Sequence, residues 1–143
     1  HEVAAYHYLA KNKGSRKLSI IIVGGGVPKN YSLQPEPYLS QICGIDAGGY
    51  DMDVQICDAH IQNGALSSCT ASEAHTWGKT SAECVKKSQY VFADVTATFP
   101  FIVHALLQEE IKRQPRNLLD YREEALTLLD KALRKKRFTD YKK

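Results

Sequence analysis

The chain is 143 residues long, 43% hydrophobic and 24% charged, with a formal net charge of +3. That length makes about one domain, and the apolar content supports one core and excludes a wholly disordered chain. No apolar run approaches the roughly 20 residues of a membrane-spanning helix; the longest, Ile20 to Val27, contains three glycines.

Residues 2–12 (EVAAYHYLAKN) favour helix, with Gly14 as a stop. Leu18 to Val23 (LSIIIV) is short, rich in β-branched residues and closed by Gly24-Gly25-Gly26. It reads as a strand buried on both faces, the kind found in parallel sheets. Val27 to Asn30 reads as a turn or loop and Tyr38 to Cys43 as a helix; Gly44 to Tyr50 is a loop. Asp53 to Cys57 is a second strand, followed by a long loop from Asp58 to Ser68. A helix is expected from Ser72 towards Lys87 and a third strand from Tyr90 to Val95. Thr98 to Lys112 is helical with Pro100 in its first turn, where proline is tolerated. Leu118 to Arg137 is a long amphipathic helix with Leu118, Tyr121, Ala125, Leu128, Leu129, Ala132 and Leu133 on one stripe. Helices alternating with strands argue for an α/β layered fold with a parallel sheet.

The charge is unevenly placed. Residues 131–143 carry seven Lys or Arg against Asp140, a run of +6 that leaves the preceding 130 residues at −3. Such a run reads first as a solvated helix end that complements the helix dipole. No nucleic-acid motif accompanies it, so neither nucleic acid nor membrane is expected as a partner. Cys43, Cys57, Cys69 and Cys84 form no C-x-x-C pair and have no histidine at zinc-ligand spacing. No metal is therefore expected, and the cysteines read as free thiols of a cytoplasmic protein. The chain opens at His1 on residues that resemble the middle of a helix, without a signal-peptide pattern. The expectation is a piece of a larger protein.

Three stretches carry chemistry. In IIIVGGGVPKN, glycines at the carboxyl end of a buried strand either form a tight turn or let the backbone approach a phosphate. In SEAHTWGK, Glu73 and Trp77 are four apart on one helix face and Lys79 follows a glycine. A carboxylate, an indole and a lysine suit a cationic, partly aliphatic substrate, and a desolvated lysine attacks carbonyl or imine carbon. The plainer reading is an amphipathic helix with a buried Trp and a surface Lys. In VFADVTATFP, Asp94 at a strand end either meets ribose hydroxyls or caps the next helix. His1 and His7 are expected at the surface and His104 packed on a helix; His60 lies in a loop able to line a site.

Taken in order, Gly24-Gly25-Gly26-Val27-Pro28-Lys29-Asn30, Glu73-Ala74-His75-Thr76-Trp77-Gly78-Lys79 and Phe92-Ala93-Asp94 with Phe99-Pro100 resemble the C-terminal part of deoxyhypusine synthases. The resemblance covers roughly residues 1–110. It implies a Rossmann-like α/β fold, with residues 1–115 as the C-terminal part of an NAD-binding catalytic domain and 116–143 as a terminal helix and basic tail. The implied activity uses NAD to oxidise spermidine, carries the aminobutyl group as an imine on an enzyme lysine, and passes it to a lysine of a translation factor precursor (eIF5A type).

By motif position the resemblance implies Lys79 as the lysine that holds the imine. It implies Glu73, Trp77 and Asn30, with Gly64, Ala65 and Leu66 of a substrate loop, as polyamine contacts. Gly24, Gly25, Gly26, Asp58, Ala59, Asp94 and Val95 are implied at the NAD. Asn30 stands where eukaryotic members carry a histidine, and Leu66 where they carry an acid; the glycine string looks more like the deoxyhypusine-synthase-like branch common in prokaryotes. Some relatives use a small amine acceptor and make homospermidine; a non-catalytic partner subunit is a third reading. Members are much longer than this chain and are usually tetramers. A polyamine needs more acid than Glu73, so an N-terminal chain, from the same processed precursor or a paralogous subunit, is expected to complete a homo- or hetero-tetramer.

Overall fold

The structure, a computed structural model, describes residues 1–13, 16–61, 63, 69–109 and 117–140, the side chains of 137–140 excepted. Helix α1 (Glu2–Asn12) leads into β1 (Ser19–Val23). Helix α2 (Gly26–Leu33) follows, then the short α3 (Pro35–Pro37) and a π-helical turn over Tyr38–Ile42. Strand β2 (Met52–Cys57) precedes α4 (Ala71–Thr76) and α5 (Ala82–Lys87), and β3 (Gln89–Phe92) precedes α6 (Val95–Gln108). A 3-10 turn, Leu118–Tyr121, opens α7 (Arg122–Asp140). The expected alternation is present, and the fold is α/β.

The strands form one parallel sheet in the order β1-β2-β3. Ile22 lies opposite Gln55, which lies opposite Tyr90; Val23, Ile56 and Val91 form the neighbouring row on the other face. Parallel register points all carboxyl ends the same way, so Gly24, Asp58 and Ala93 follow one edge of the sheet.

The helical core lies away from that edge. Ala4 and Ala5 of α1 pack with Ala125 and Leu129 of α7, together with Leu39 and Ala47. Small side chains at Ala4, Ala5 and Ala125 let the helices approach, and the leucines fill the seam. Full burial of a leucine is worth about 1.5–3 kcal/mol, and Leu39 and Leu129 are both completely buried.

Several expectations need correction. The turn expected at Val27–Asn30 is helix α2: Gly24 and Gly25 make the turn first, and Pro28 falls within the opening turn, where its missing N–H costs little. The helix expected over Tyr38–Cys43 is present over Tyr38–Ile42, wound as a π-helical turn. The helix expected from Ser72 to Lys87 is broken in two at Gly78, whose φ is +73°. β3 ends at Phe92, because Asp94 caps α6 through Thr96 and Ala97 N–H. α6 therefore starts earlier than expected, and Pro100 sits inside it rather than in its first turn. β1 is not buried on both faces: Ile22 is buried, but Ile21 and Val23 are exposed. On that same face the central Ile56 is buried, while Val91 beside it is exposed.

Candidate active site

Two local structures bring the reactive groups together. The first is the strand-to-helix turn at the end of β1. Gly24 adopts φ +116°, a conformation closed to other side chains without strain. Its N–H bonds the Ile56 carbonyl at 2.9 Å. Gly25 then caps α2 without any side-chain hydrogen bond. Helix α2 turns Lys29 inward and leaves Asn30 at the surface. Lys29 Nζ donates to Gln55 Oε1 at 3.0 Å and to the Cys69 carbonyl. Gln55 in turn donates from Nε2 to the Gly24 carbonyl at 3.0 Å. The Lys29–Gln55–Gly24 chain therefore locks the glycine turn onto β2.

The second is the end of α4. Thr70 caps it, its hydroxyl accepting from Glu73 N–H. At the other end Gly78 N–H bonds the His75 carbonyl at 2.9 Å and Lys79 N–H reaches back to the Ala74 carbonyl at 3.0 Å. This pair of bonds, with glycine in the left-handed conformation, is a Schellman termination. It explains why Trp-Gly-Lys follows the helix: Trp77 is the C-cap, Gly78 supplies the positive φ, and Lys79 leaves in a fixed direction. Lys79 Nζ donates to Asn30 Oδ1 at 3.3 Å. The two stretches thus meet through side chains 49 positions apart.

Electrostatically the site is mixed. Burial pushes the Lys29 ammonium below the ordinary lysine value; neighbouring Cys69, Asp53 and Glu73 oppose the shift, and Lys79 adds to it. Glu73 and Lys79 therefore both act within the field of one buried lysine. Glu73 is exposed, and Trp77 is 58% exposed, against the plainer expectation of a buried indole. Lys79, two residues beyond the indole, is half-buried.

Asp58 and Asp94 follow β2 and β3 at the same edge of the sheet as the glycine turn. Asp94 Oδ1 accepts from Thr96 and Ala97 N–H and from the Thr96 hydroxyl, and these bonds hold its carboxyl below the usual range. The helix-cap role is therefore present. Val95 begins α6, and Ala59 receives a hydrogen bond from the Tyr90 hydroxyl at its carbonyl. His60 stacks obliquely with Phe92, their ring centres 6.5 Å apart. Gly64, Ala65 and Leu66 lie outside the described residues. His7, expected at the surface, is buried, and His104, expected to pack, is exposed and meets Gln108. All four cysteines are free, and no metal-holding group of His, Cys, Asp and Glu occurs among the described residues.

Lys29 and Gln55 were not singled out from sequence as site residues. The available signal was a glutamine in the middle of the apolar strand DVQIC, and a lysine that α2 turns towards it.

The fold and site define a Rossmann-like α/β domain in which a lysine beyond α4 meets the helix that follows the first strand. A family model, DS: Deoxyhypusine synthase, matches residues 4–106. The chain belongs to the deoxyhypusine synthase family. It is 35% identical over 131 residues to a deoxyhypusine synthase-like protein of Nostoc punctiforme, covering 92% of this chain and 33% of that protein. It is 41% identical over 101 residues to a probable deoxyhypusine synthase 2 of Methanosarcina acetivorans, covering 69% and 28%. A deoxyhypusine synthase-like protein of Caulobacter vibrioides is 40% identical over 83 residues, covering 58% and 22%. The chain spans about a third or less of the length of these relatives.

Proposed function

We propose that this chain supplies the reactive-lysine part of an NAD-dependent aminobutyl transferase, which moves the aminobutyl group of spermidine to a lysine of an eIF5A-type translation factor precursor. The observation that carries the reading is the Lys79–Asn30 contact, with Lys79 and Glu73 both acting on the buried Lys29 ammonium. It sets a primary amine where a carboxylate and an indole can hold a polyamine.

The residues at the strand edge fit NAD. Gly24 leaves room for close approach, and the first amides of α2 carry no side-chain cap, as a pyrophosphate requires. Asp58 and Asp94 offer carboxylates to ribose along the same edge. When bound, NAD would supply the hydride acceptor and donor. The chain's own residues do the rest. Glu73 and Trp77 hold the cationic substrate. Once hydride and a proton have left the secondary amine of spermidine, the amine of Lys79 adds to the resulting C=N carbon, and diaminopropane leaves as the C–N bond to it breaks. The aminobutyl group then rests on Lys79 as an imine. Attack by the acceptor amine releases Lys79, and reduction of the new imine completes the transfer.

The same proposal includes a partner. Ile21, Val23, Met52 and Val91 lie on one face of the sheet and are 40–69% exposed. Helix α6 buries none of its side chains, with Phe101 and Leu107 about three-quarters exposed. Apolar surface of this extent calls for a cover. In this reading the cover is further sequence of the longer protein, in one chain or as a separate N-terminal subunit, and assembly into a tetramer belongs to the same reading.

The test supplies labelled spermidine and NAD to the family-length protein, or to this chain with its copurifying partner. Factor precursor and putrescine are offered separately. Label in the factor, with a borohydride-trapped adduct on Lys79, supports the proposal. Label in a new polyamine moves the acceptor to a small amine. No adduct with either acceptor overturns the reading and leaves a non-catalytic subunit.

A further inference from the structure

A second buried polar cluster lies behind the site, and neither the family motifs nor the chemistry above uses it. Tyr50, His7 and Glu36 are all more than nine-tenths buried. Tyr50 reaches two places. Its main chain forms a parallel bridge with the segment after Gly78: Tyr50 N–H donates to the Lys79 carbonyl at 3.0 Å, and Ser81 N–H donates to the Tyr50 carbonyl at 2.8 Å. Its hydroxyl donates to the Ser32 carbonyl at 3.1 Å. Ser32 lies in α2, two residues beyond Asn30. One residue therefore ties the backbone of Lys79 to the helix that carries the partner of the Lys79 amine.

The hydroxyl is held from behind. It meets His7 Nε2 at 2.8 Å, with the two rings edge to face and their centres 5.1 Å apart. His7 Nδ1 lies 3.1 Å from Glu36 Oε1, and Glu36 Oε2 accepts from Gly49 N–H at 3.2 Å. The phenol keeps its proton, because burial and the Glu36 carboxylate both push it up. The loop closes at the surface, where Lys79 Nζ returns to Asn30.

We infer that Tyr50, braced by His7 and Glu36, is a positioning residue that sets the Lys79 amine against Asn30. The inference rests on the reading of Lys79 as the reacting lysine only for its effect on rate. The placement itself is measurable without turnover. A brace that served stability alone would lower the melting temperature and leave the Lys79 environment unchanged. A positioning residue changes the amine's surroundings and the chemical step, and displacements of about 1 Å at a reacting group cost up to about a hundredfold in rate.

The experiment uses the family-length protein, or this chain with its partner, as wild type and as Tyr50→Phe, His7→Gln, Asn30→Ala and Leu129→Ala. Leu129→Ala is the control, since Leu129 belongs to the α1–α7 core cluster, which includes none of Tyr50, His7, Glu36, Asn30 and Lys79. Lys79 is reductively methylated with formaldehyde and cyanoborohydride, and its rate is read by peptide mass spectrometry against exposed Lys86. Tyr50→Phe and His7→Gln are expected to shift the Lys79 rate about threefold, in the direction of Asn30→Ala, as loss of one hydrogen bond would. Leu129→Ala leaves that rate unchanged at equal loss of melting temperature. Transfer assays on Tyr50→Phe should show kcat down about tenfold and the KM for spermidine held within about twofold. If wild type makes no adduct, the proposed reaction fails while the labelling still decides the placement. Lys79 labelling in the Tyr50 and His7 variants that matches Leu129→Ala overturns the inference.

Discussion

Lys79 Nζ lies 3.3 Å from Asn30 Oδ1, joining the end of a Schellman-terminated helix to a helix that begins in a glycine turn. Each partner depends on a glycine for its direction. Gly78, at φ +73°, points Lys79 out of α4, and Gly24, at φ +116°, starts the turn that brings α2 and Asn30 alongside.

Lys79→Ala removes the proposed nucleophile and none of the core. Transfer of labelled aminobutyl group should fall to background, and the borohydride-trapped adduct should vanish from the peptide containing residue 79. The melting temperature should stay within about 2 °C of wild type, as expected of a substitution outside the core. A trapped adduct on a different lysine would reassign the nucleophile.

Lys29 carries a pH signature. Its folded-state value lies below the ordinary lysine value of 10.5 because it is buried. The unfolded chain therefore binds the proton more tightly, and the folded state is penalised while Lys29 stays charged. That penalty is full below the folded value and is relieved as pH rises from there towards 10.5. In urea titrations across alkaline pH, Lys29→Met should lack this rising component of stability. Parallel curves for wild type and Lys29→Met would refute it. The same variant leaves Gln55 Oε1 without its ammonium, so the glycine turn should become more susceptible to hydrogen exchange at Gly24.

Asp94 has the opposite sign. Hydrogen bonds from Thr96 and Ala97 hold its carboxyl below the ordinary 3.8. Its stabilisation is complete above that ordinary value and is lost as pH falls through the lowered folded-state value. Asp94→Asn keeps a good cap and removes the titration, so its thermal midpoint at neutral pH should match wild type while its acid limb flattens. Asp94→Ala should lower the midpoint at neutral pH. Equal midpoints for the Ala and Asn variants would show that the cap is not used.

Gly49→Ala tests the bridge behind Lys79. Gly49 has φ +69°, and a Cβ there would meet Thr80 backbone atoms at 2.8 to 3.0 Å. Backbone cannot swing aside as a side chain can, so the substitution should cost about 2 kcal/mol or more in urea unfolding. A loss under about 0.5 kcal/mol, the scatter of ordinary surface changes, would contradict the close approach.

Much of the site was readable in the chain because it is local. Trp77-Gly78-Lys79 already holds the indole and the lysine, and Gly24-Gly25-Gly26 marks the end of the first strand. Other features were illegible because they depend on distant partners. His7 looked like a surface residue until Glu36 and Tyr50, 29 and 43 positions away, enclosed it. Lys29 looked like part of a polar loop until Gln55 and the Cys69 carbonyl received its ammonium. The break at Gly78 was missed because residues 72–87 share enough helical character to read as one helix; the left-handed glycine decided otherwise.

By itself the sequence determined the alternation of strands and helices, the parallel sheet and the family motifs, whose resemblance implies the lysine of the proposed chemistry. These follow from periodicity, glycine placement and short strings whose physics is complete within a few residues. Tertiary structure alone decided which side chains meet: Lys79 with Asn30, Lys29 with Gln55, Tyr50 with both Lys79 and α2. It also decided that Ile21, Val23, Met52 and Val91 on one sheet face are exposed while Ile56 between them is buried. Those outcomes depend on bringing together segments tens of residues apart, and the free energy that selects them comes from burial and hydrogen bonding across the fold.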